Sequence, residues 1–332
     1  MKRFTFIILL LLLICSSGAE AKPSAPIRGM WVWDFEAYET RKERERLIDL
    51  CRLEGITLLL VQVHYRTDPN TKLPTGMQDS QAYGDLIQEC RKTGIAVEAL
   101  EGDSHWAIKA GQADFWPKLT IILDWYKSQP ANRRFAGLHL DVEPYLLKDF
   151  DTPYKLQILR EYVEFMAKVR NRVKKVSPDL IFAADIPFWY DVYPEDEYLN
   201  HCVVEFNGVK KSTSSHIQDI CDYIGIMSYR RHAVGENSIF DISVGEMNYA
   251  EKIGKKVFLG VETMPDQDPA YISFWGTNIP WFRKQIGLLE QTCAKQKGFG
   301  GILIHHYVSY RLLLESPVPE TQQEGPAPAL SD

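Results

Sequence analysis

The residues best suited to chemistry lie at the end of one apolar segment, Gly137–Val142, which continues into Glu143. Because the side chains of a strand alternate between two faces, His139, Asp141 and Glu143 share one face of it. A nearby carboxylate raises the affinity of its neighbour for a proton, so that one acid can stay protonated near neutral pH and donate that proton. The spacing predicts Glu143 as a general acid, Asp141 as its assistant, and His139 as a neutral partner below Asp141.

Further acids, histidines and aromatic residues follow the ends of other strand-like segments. Sugar rings pack their C–H faces on aromatic rings, while carboxylates and amides bind their hydroxyls. This combination predicts a carbohydrate site, whose substrate is an oligosaccharide or polysaccharide. The residues predicted to contact the substrate are Trp33, Asp34, Glu101, Trp106, His139, Asp185, Trp189 and His305.

These residues must be positioned by a regular framework, and the chain alternates apolar strand-like segments with helical patterns. The strands are predicted at Arg28–Trp33, Thr57–Val63, Ala96–Leu100, Gly137–Val142, Leu180–Ile186, Tyr223–Ser228, Val257–Val261 and Gly301–His305. The helices are predicted at Arg41–Leu53, Ser80–Lys92, Phe115–Ser128, Tyr154–Val176, Ser215–Cys221, Val244–Ile253 and Trp281–Lys295. Eight strands that alternate with helices predict an α/β fold, a (β/α)8 TIM barrel, whose active site lies at the carboxyl ends of the strands. The rival, a doubly wound sheet, usually carries a glycine-rich phosphate loop, which this sequence lacks.

Composition narrows the classes of function. The chain has 332 residues, of which 45% are hydrophobic and 25% charged, as in an ordinary folded protein. Its formal net charge is -6 and it has no basic block, which argues against nucleic acid as a partner.

The first residues are predicted to be an export signal. Two positive charges precede the apolar run Phe4–Ile14, and Ala19-Glu20-Ala21 supplies a cleavage site. That run is shorter than the about 20 residues that a membrane-spanning helix needs. We therefore predict a signal peptide at residues 1–21, a barrel domain at 22–316 and a flexible tail at 317–332. The expected location is secreted or periplasmic, with no integral membrane segment after cleavage and lipid anchoring at Cys15 as an alternative.

Cleavage would leave an odd number of cysteines, which cannot all pair within one chain. Cys51, Cys90 and Cys293 each end a helical pattern and are predicted to be buried against the sheet, while a Cys202–Cys221 bridge remains open.

A metal centre is the alternative use of the histidines. His64, His305 and His306 end predicted strands, as metal ligands do in barrel amidohydrolases and sugar deacetylases. Such barrels usually carry an early His-x-His on strand one, where this chain has Trp31-Val32-Trp33. We therefore predict no metal and no cofactor.

Two motifs resemble family 18 of the glycoside hydrolases, the chitinase-like barrels. Asp141-x-Glu143 is similar to the end of that family's D-x-x-D-x-D-x-E signature, and Met227-x-Tyr229 to its sixth-strand motif. The resemblance implies a secreted (β/α)8 barrel that cleaves β-linked N-acetylglucosamine. It also implies that Glu143 is the acid, that Asp141 steers the acetamido group, and that Tyr229 supports the intermediate. The first two Asp positions are occupied by Ala136 and His139, and the last strand lacks the family's Trp.

Other resemblances keep the substrate and the mechanism open. The Asp-x-Glu pair also resembles that of secreted muramidase barrels. Glu143-Pro144 and Glu262 resemble the acid and nucleophile of retaining β-glycosidases, in which the two carboxyls lie about 5 Å apart. That clan usually has Asn before the acid, where this chain has Val142. The changes at Ala136 and His139 also raise the alternative of a sugar-binding barrel without catalysis.

Overall fold

The computed structural model describes residues 26–195, 201–265 and 267–316, and these residues form a closed barrel of eight parallel strands. Each strand pairs with its neighbours in chain order, and the first closes the barrel against the last. The strands are β1 Ile27–Val32, β2 Leu58–Gln62, β3 Ala96–Glu101, β4 Gly137–Leu140, β5 Ile181–Pro187, β6 Tyr223–Met227, β7 Lys256–Glu262 and β8 Phe299–His305. The predicted (β/α)8 TIM barrel is therefore confirmed.

A helix follows each strand on the outside of the barrel. The helices are α1 Arg41–Glu54, α2 Ser80–Lys92, α3 Phe115–Ser128, α4 Lys155–Val176, α5 Thr213–Ile220, α6 Val244–Ile253, α7 Ile279–Cys293 and α8 Tyr307–Glu315. The last one is absent from the sequence prediction because it is short and follows β8 with no intervening loop. Reciprocal capping bonds between His306 and Ser309 start it at this point.

Two antiparallel hairpins lie in the connections between barrel strands and helices, one after β2 and one after β5. Tyr65–Thr67 pairs with Pro74–Met77 after β2, and Val203–Phe206 pairs with Val209–Ser212 after β5. Both hairpins lie in connections that lead from strand to helix, the side of the barrel that carries active sites in this fold.

The barrel has two apolar clusters, one between the strands and the helices and a smaller one inside the strands. The inner cluster consists of Trp31, Leu58, Leu60, Leu100, Ala183, Tyr223, Phe258 and Leu303, with the half-buried Trp33 packed against it. Leu138, Leu140 and Val142 belong to the outer cluster, as the predicted alternation of β4 requires.

Strand β4 is two residues shorter than predicted. Its pairing with β3 ends where Leu140 lies opposite Glu101, so Asp141 and Glu143 leave the sheet at the mouth of the barrel. The backbone N–H of Asp141 still donates to the carbonyl oxygen of Glu101 at 2.8 Å, and the chain then turns into the helical turn Pro144–Leu146.

The predictions for three of the cysteines are confirmed. Cys51, Cys90 and Cys293 are buried free thiols on α1, α2 and α7. Cys221 is also a free thiol, so the bridge to Cys202 that the sequence left open is not formed.

The predicted signal peptide, Cys15 and the tail at 317–332 lie outside the described residues. Over the ranges that the structure does describe, no helix combines the length and the apolar character needed to cross a membrane.

Candidate active site

A buried ion pair forms the floor of the site. His139 and Asp185, from β4 and β5, are buried inside the barrel, and Nε2 of His139 lies 2.9 Å from Oδ2 of Asp185. The same oxygen accepts a hydrogen bond of 2.9 Å from the indole nitrogen of Trp31. Burial by itself lowers the pKa of His139, but the nearby carboxylates outweigh it and raise that pKa to about 10. The histidine is therefore a cation, which corrects the predicted neutral partner.

The other nitrogen of this histidine continues the buried network. Nδ1 of His139 lies 3.2 Å from the hydroxyl oxygen of Tyr223, and that hydroxyl donates to Oε2 of Glu98 at 2.7 Å. Glu98 Oε2 lies 3.6 Å from Nδ1 as well. One cation thus lies between two buried carboxylates, one from β3 and one from β5.

Asp141 lies above this floor with part of its carboxyl group buried. Among the described residues, neither Oδ1 of Asp141 nor Oδ1 of Asp185 has a hydrogen-bond partner, although both atoms are buried. Burial and the charges of Asp185 and Glu143 raise the pKa of Asp141 well above its ordinary range. The cationic His139 opposes this shift. Asp141 is accordingly held as a neutral acid that can donate a hydrogen bond.

Glu143 occupies the mouth of the barrel, just before the single helical turn Pro144–Leu146. The hydroxyl of Tyr145 donates to its Oε1, and that hydroxyl also lies 3.7 Å from the sulfur of Met227. Burial, and then the charge of Asp185, raise the pKa of Glu143 to about 7. A half-buried carboxyl with this pKa can exchange a proton near neutral pH.

Glu101 is a second protonatable carboxyl at the neighbouring strand end. It is fully buried and accepts a hydrogen bond from the hydroxyl of Tyr65, in the first hairpin. Burial raises its pKa to about 8, although the Tyr65 hydroxyl and Lys118 oppose this shift. The backbone after β3 passes close to Asp141 here. There is no room for a side chain at Gly102, since a Cβ there would lie 2.3 Å from the carbonyl oxygen of Asp141. Glu101 is therefore held beside the Asp141 backbone.

Glu262, at the end of β7, belongs to a separate chain of hydrogen bonds. Its Oε1 accepts from the backbone nitrogens of Thr263 and Met264, both at 2.7 Å. Nδ1 of His305 lies 3.1 Å and 3.0 Å from its two oxygens. Nε2 of the same histidine accepts from the indole nitrogen of Trp33 at 3.0 Å.

Tyr229 follows β6 and lies among the acids. Burial, and then the charges of Glu262 and Asp141, raise its pKa well above the ordinary range, so its hydroxyl stays protonated. Its ring lies 6.0 Å from that of His305, at an interplanar angle of 31°. Tyr229 can therefore donate a hydrogen bond within the mouth of the barrel.

The predicted residues do not all meet at this mouth. Trp106 is fully buried, donates to Asp114 at 3.0 Å and packs on Phe115, so it has no exposed face to offer a sugar. Trp189 is half-buried and packs on Tyr145, whose ring is 5.6 Å away and whose hydroxyl donates to Glu143. Asp34 is exposed at the start of a single helical turn after β1.

Several residues of the site escaped the sequence analysis. They are Tyr65, Glu98, Tyr145, Tyr223 and Gly225. An acid within an apolar strand, as at Glu98, is a signal that alternation could have shown. Gly225 is needed for space, because a Cβ there would lie 2.1 Å from Oδ1 of Asp185. That requirement depends on the register of β5 against β6, which no local pattern reveals.

Across the described ranges, no group of three or more His, Cys, Asp or Glu is arranged to hold a metal ion. The site is instead a set of carboxyls, hydroxyls and aromatic rings.

We compared the chain with known proteins and found similarity to solved structures. No family model matches the chain, and no curated protein matches it. Among solved structures it resembles the endo-β-1,4-mannanase of Thermotoga petrophila, with 12% identity, coverage of 84% of this chain and 67% of that one, and a TM-score of 0.56. It resembles the β-mannanase of Mytilus edulis at 12% identity, 88% and 90% coverage, and a TM-score of 0.56. It also resembles the Bacillus cereus spore cortex-lytic enzyme SleL, at 10% identity, 88% and 74% coverage, and a TM-score of 0.52.

These similarities support the barrel architecture over most of the chain. At identities of 10–12% they concern the fold, and the chemistry of this chain must be argued from its own residues.

Proposed function

We propose that the protein is a glycoside hydrolase that cleaves a β-linked glycan, with Glu143 as the general acid. The observation that carries this proposal is a half-buried carboxyl at the barrel mouth whose pKa is raised to about 7. A carboxyl of this kind is protonated for part of the population at neutral pH and can protonate a glycosidic oxygen as the bond breaks.

Asp141 assists as a neutral acid beside Glu143. Its raised pKa leaves it a proton to donate, which suits an acetamido group or a ring hydroxyl of the reacting sugar. The floor of the site supports this role, because His139 and Asp185 balance each other below it. The family 18 pattern has an acid at the position of His139, and in this barrel Asp185 brings a carboxylate to the same level from the next strand.

The hydrogen bonds of Glu262 favour this mechanism over one in which Glu262 attacks the sugar. Its carboxylate already accepts from two backbone amides and faces His305. These hydrogen bonds lower the nucleophilicity of the Glu262 oxygens and restrict rotation of the carboxylate. The contacts suit a fixed, orienting carboxylate.

The substrate class is tested by turnover. Purified protein lacking residues 1–21 would be assayed on chitin oligosaccharides, peptidoglycan fragments and β-1,4-mannan, with reducing ends measured over time. We expect cleavage of a glycan that carries N-acetylhexosamine. Cleavage of mannan alone would support the proposed hydrolysis of glycosidic bonds but contradict the role of Asp141 in binding an acetamido group. Binding of a glycan with no product would instead support the non-catalytic sugar-binding barrel suggested by Ala136 and His139.

The rate of hydrolysis is expected to depend on pH through Glu143. The acid must be protonated to work, so kcat/KM is expected to fall as pH rises through about 7, the pKa of Glu143. The charge of Asp185 contributes to that raised pKa, so Asp185→Asn is expected to move the basic limb to lower pH. Initial rates between pH 4 and 10 on one substrate would locate the basic limb in the wild type and in the variant. A limb that stays in place in a folded Asp185→Asn variant would contradict the assignment.

Tyr229→Phe tests the hydroxyl at the barrel mouth. Loss of a single donor that acts on a reaction intermediate typically costs about 100-fold in kcat. We expect a fall of roughly 10- to 100-fold in kcat with little change in KM, measured by steady-state kinetics. Phe keeps the ring that lies against His305, so packing is preserved. A variant with unchanged kcat would remove Tyr229 from the mechanism.

A further inference from the structure

We infer that Trp33 is the surface on which the substrate's sugar ring stacks, and that Glu262 and His305 are positioning residues that hold its indole in place. The inference rests on the proposed carbohydrate site and assigns roles within it. Trp33 packs on the inner apolar cluster and is itself half-buried. Trp31, two residues earlier on the same inward face, is fully buried below it. Trp33 therefore lies one residue beyond the end of β1, packed against the inner cluster.

The ring of Trp33 is fixed at its edge. An indole nitrogen can only donate, so Nε2 of His305 must accept its hydrogen bond of 3.0 Å. The two rings meet edge to face, with centroids 6.1 Å apart and an interplanar angle of 69°. The polar edge of Trp33 is used by this bond and part of the residue packs on the inner cluster, so what remains uncovered of this half-buried residue is available to a ligand as an apolar ring face. A C–H face of a sugar is the partner that such a face suits at a carbohydrate site.

The remaining bonds settle the proton on His305. With Nε2 as the acceptor, the ring proton lies on Nδ1, which donates to the carboxylate of Glu262 at 3.0 Å. That carboxylate is held in turn by the backbone nitrogens of Thr263 and Met264. This series of hydrogen bonds therefore connects the ends of β7, β8 and β1. It fixes the tautomer of His305 and the plane of the Trp33 ring.

The backbone of Trp33 is also anchored. Nε2 of His64, at the end of β2, lies 2.9 Å from its carbonyl oxygen. Side chain and backbone are thus held by different strands, so little conformational freedom is lost when a ligand stacks on the ring. This preorganisation is the physical advantage of the arrangement, and it accounts for a buried Glu262 without making it a nucleophile.

The test measures ligand affinity separately from turnover. Binding of chitotetraose and of mannotetraose would be measured by tryptophan fluorescence and calorimetry, and kinetics would be measured on whichever is cleaved. We expect Trp33→Ala to weaken binding roughly 10- to 100-fold, as truncation of a buried aromatic anchor does. Trp33→Phe keeps an aromatic face but loses the N–H, and we expect a weakening of roughly three- to tenfold. In both variants KM is expected to change more than kcat.

A second set of variants tests the positioning roles. His305→Phe and Trp33→Phe remove the same hydrogen bond, so the double variant is expected to bind about as well as either single one. Glu262→Gln is expected to weaken binding while leaving measurable kcat. Trp275→Phe is the matched control, because Trp275 is also half-buried but packs on the outer cluster, and its affinity is expected to equal that of the wild type.

The outcomes distinguish this inference from the proposed function. Hydrolysis that depends on Glu143 but is indifferent to Trp33→Ala would overturn the stacking role alone. Trp33-dependent binding with no cleavage would keep the stacking role and reject the hydrolase. Additive losses in the double variant, or a Glu262→Gln variant whose kcat falls as far as that of Glu143→Gln, would overturn the positioning roles.

Discussion

Glu143→Gln is expected to lower kcat by about 1,000-fold, within the range that loss of a general acid causes. The amide resembles the carboxyl in shape and can still accept the hydroxyl of Tyr145, but it has no acidic proton to give to the leaving oxygen. KM should change little, because the lost interaction belongs to the transition state. Steady-state rates on the preferred glycan, compared at pH 6 and pH 8, would measure the effect.

The control for this prediction is Glu205→Gln, an equal change at an exposed position in the hairpin after β5. It is expected to leave both kcat and the melting temperature unaltered. If Glu143→Gln were as active as Glu205→Gln while remaining folded, the assignment of the acid would be wrong and Glu101, whose pKa is raised to about 8, would be the next candidate.

His139→Leu is expected to destabilise the fold by about 3–5 kcal/mol, the typical cost of removing one partner from a buried ion pair. The change leaves Asp185 and Glu98 buried without the cation that lies between them. It should also reduce activity, since Asp141 and Glu143 rest above this floor. Urea denaturation followed by circular dichroism would give the loss in the free energy of unfolding.

A double variant, His139→Gln with Asp185→Asn, tests whether charge is the cause. Two amides can hydrogen-bond to each other and keep an acceptor for the indole of Trp31, so the part of the lost stability that comes from the unpaired charge of Asp185 should return. If the double variant were less stable than His139→Leu, shape complementarity and not charge would be responsible.

The pH dependence of stability gives a further check on this pair. Burial alone would lower the pKa of His139, but the charges of Asp185 and Glu98 raise it from 6.5 to about 10 in the folded protein. The group therefore stabilises the fold fully below about pH 6.5, and this contribution is lost as pH rises through 10. The advantage of the wild type over the double amide variant should narrow across that interval. An advantage that grows with pH would contradict a charged His139.

Much of the framework could be predicted from local pattern alone. Apolar segments separated by amphipathic helices determine the eight units of the barrel, because each strand must be covered by the helix that follows it. Alternation along β4 correctly placed Leu138, Leu140 and Val142 outward and His139 inward. The same logic placed Asp141 and Glu143 at the mouth, since active-site residues of this fold follow strand ends.

The tertiary structure decided what those residues do. His139 is a cation only because β5 brings Asp185 to 2.9 Å and β3 brings Glu98 to 3.6 Å. The residues that flank His139 in the sequence determine neither distance. Trp106 looked like a rim residue, yet packing on Phe115 buries it, while Trp33 is held at the mouth by His305. Sequence spacing determines the face on which a side chain lies along its own strand. Proton affinity and exposure depend on the groups that neighbouring strands bring within a few ångströms, and only the closed barrel sets those distances.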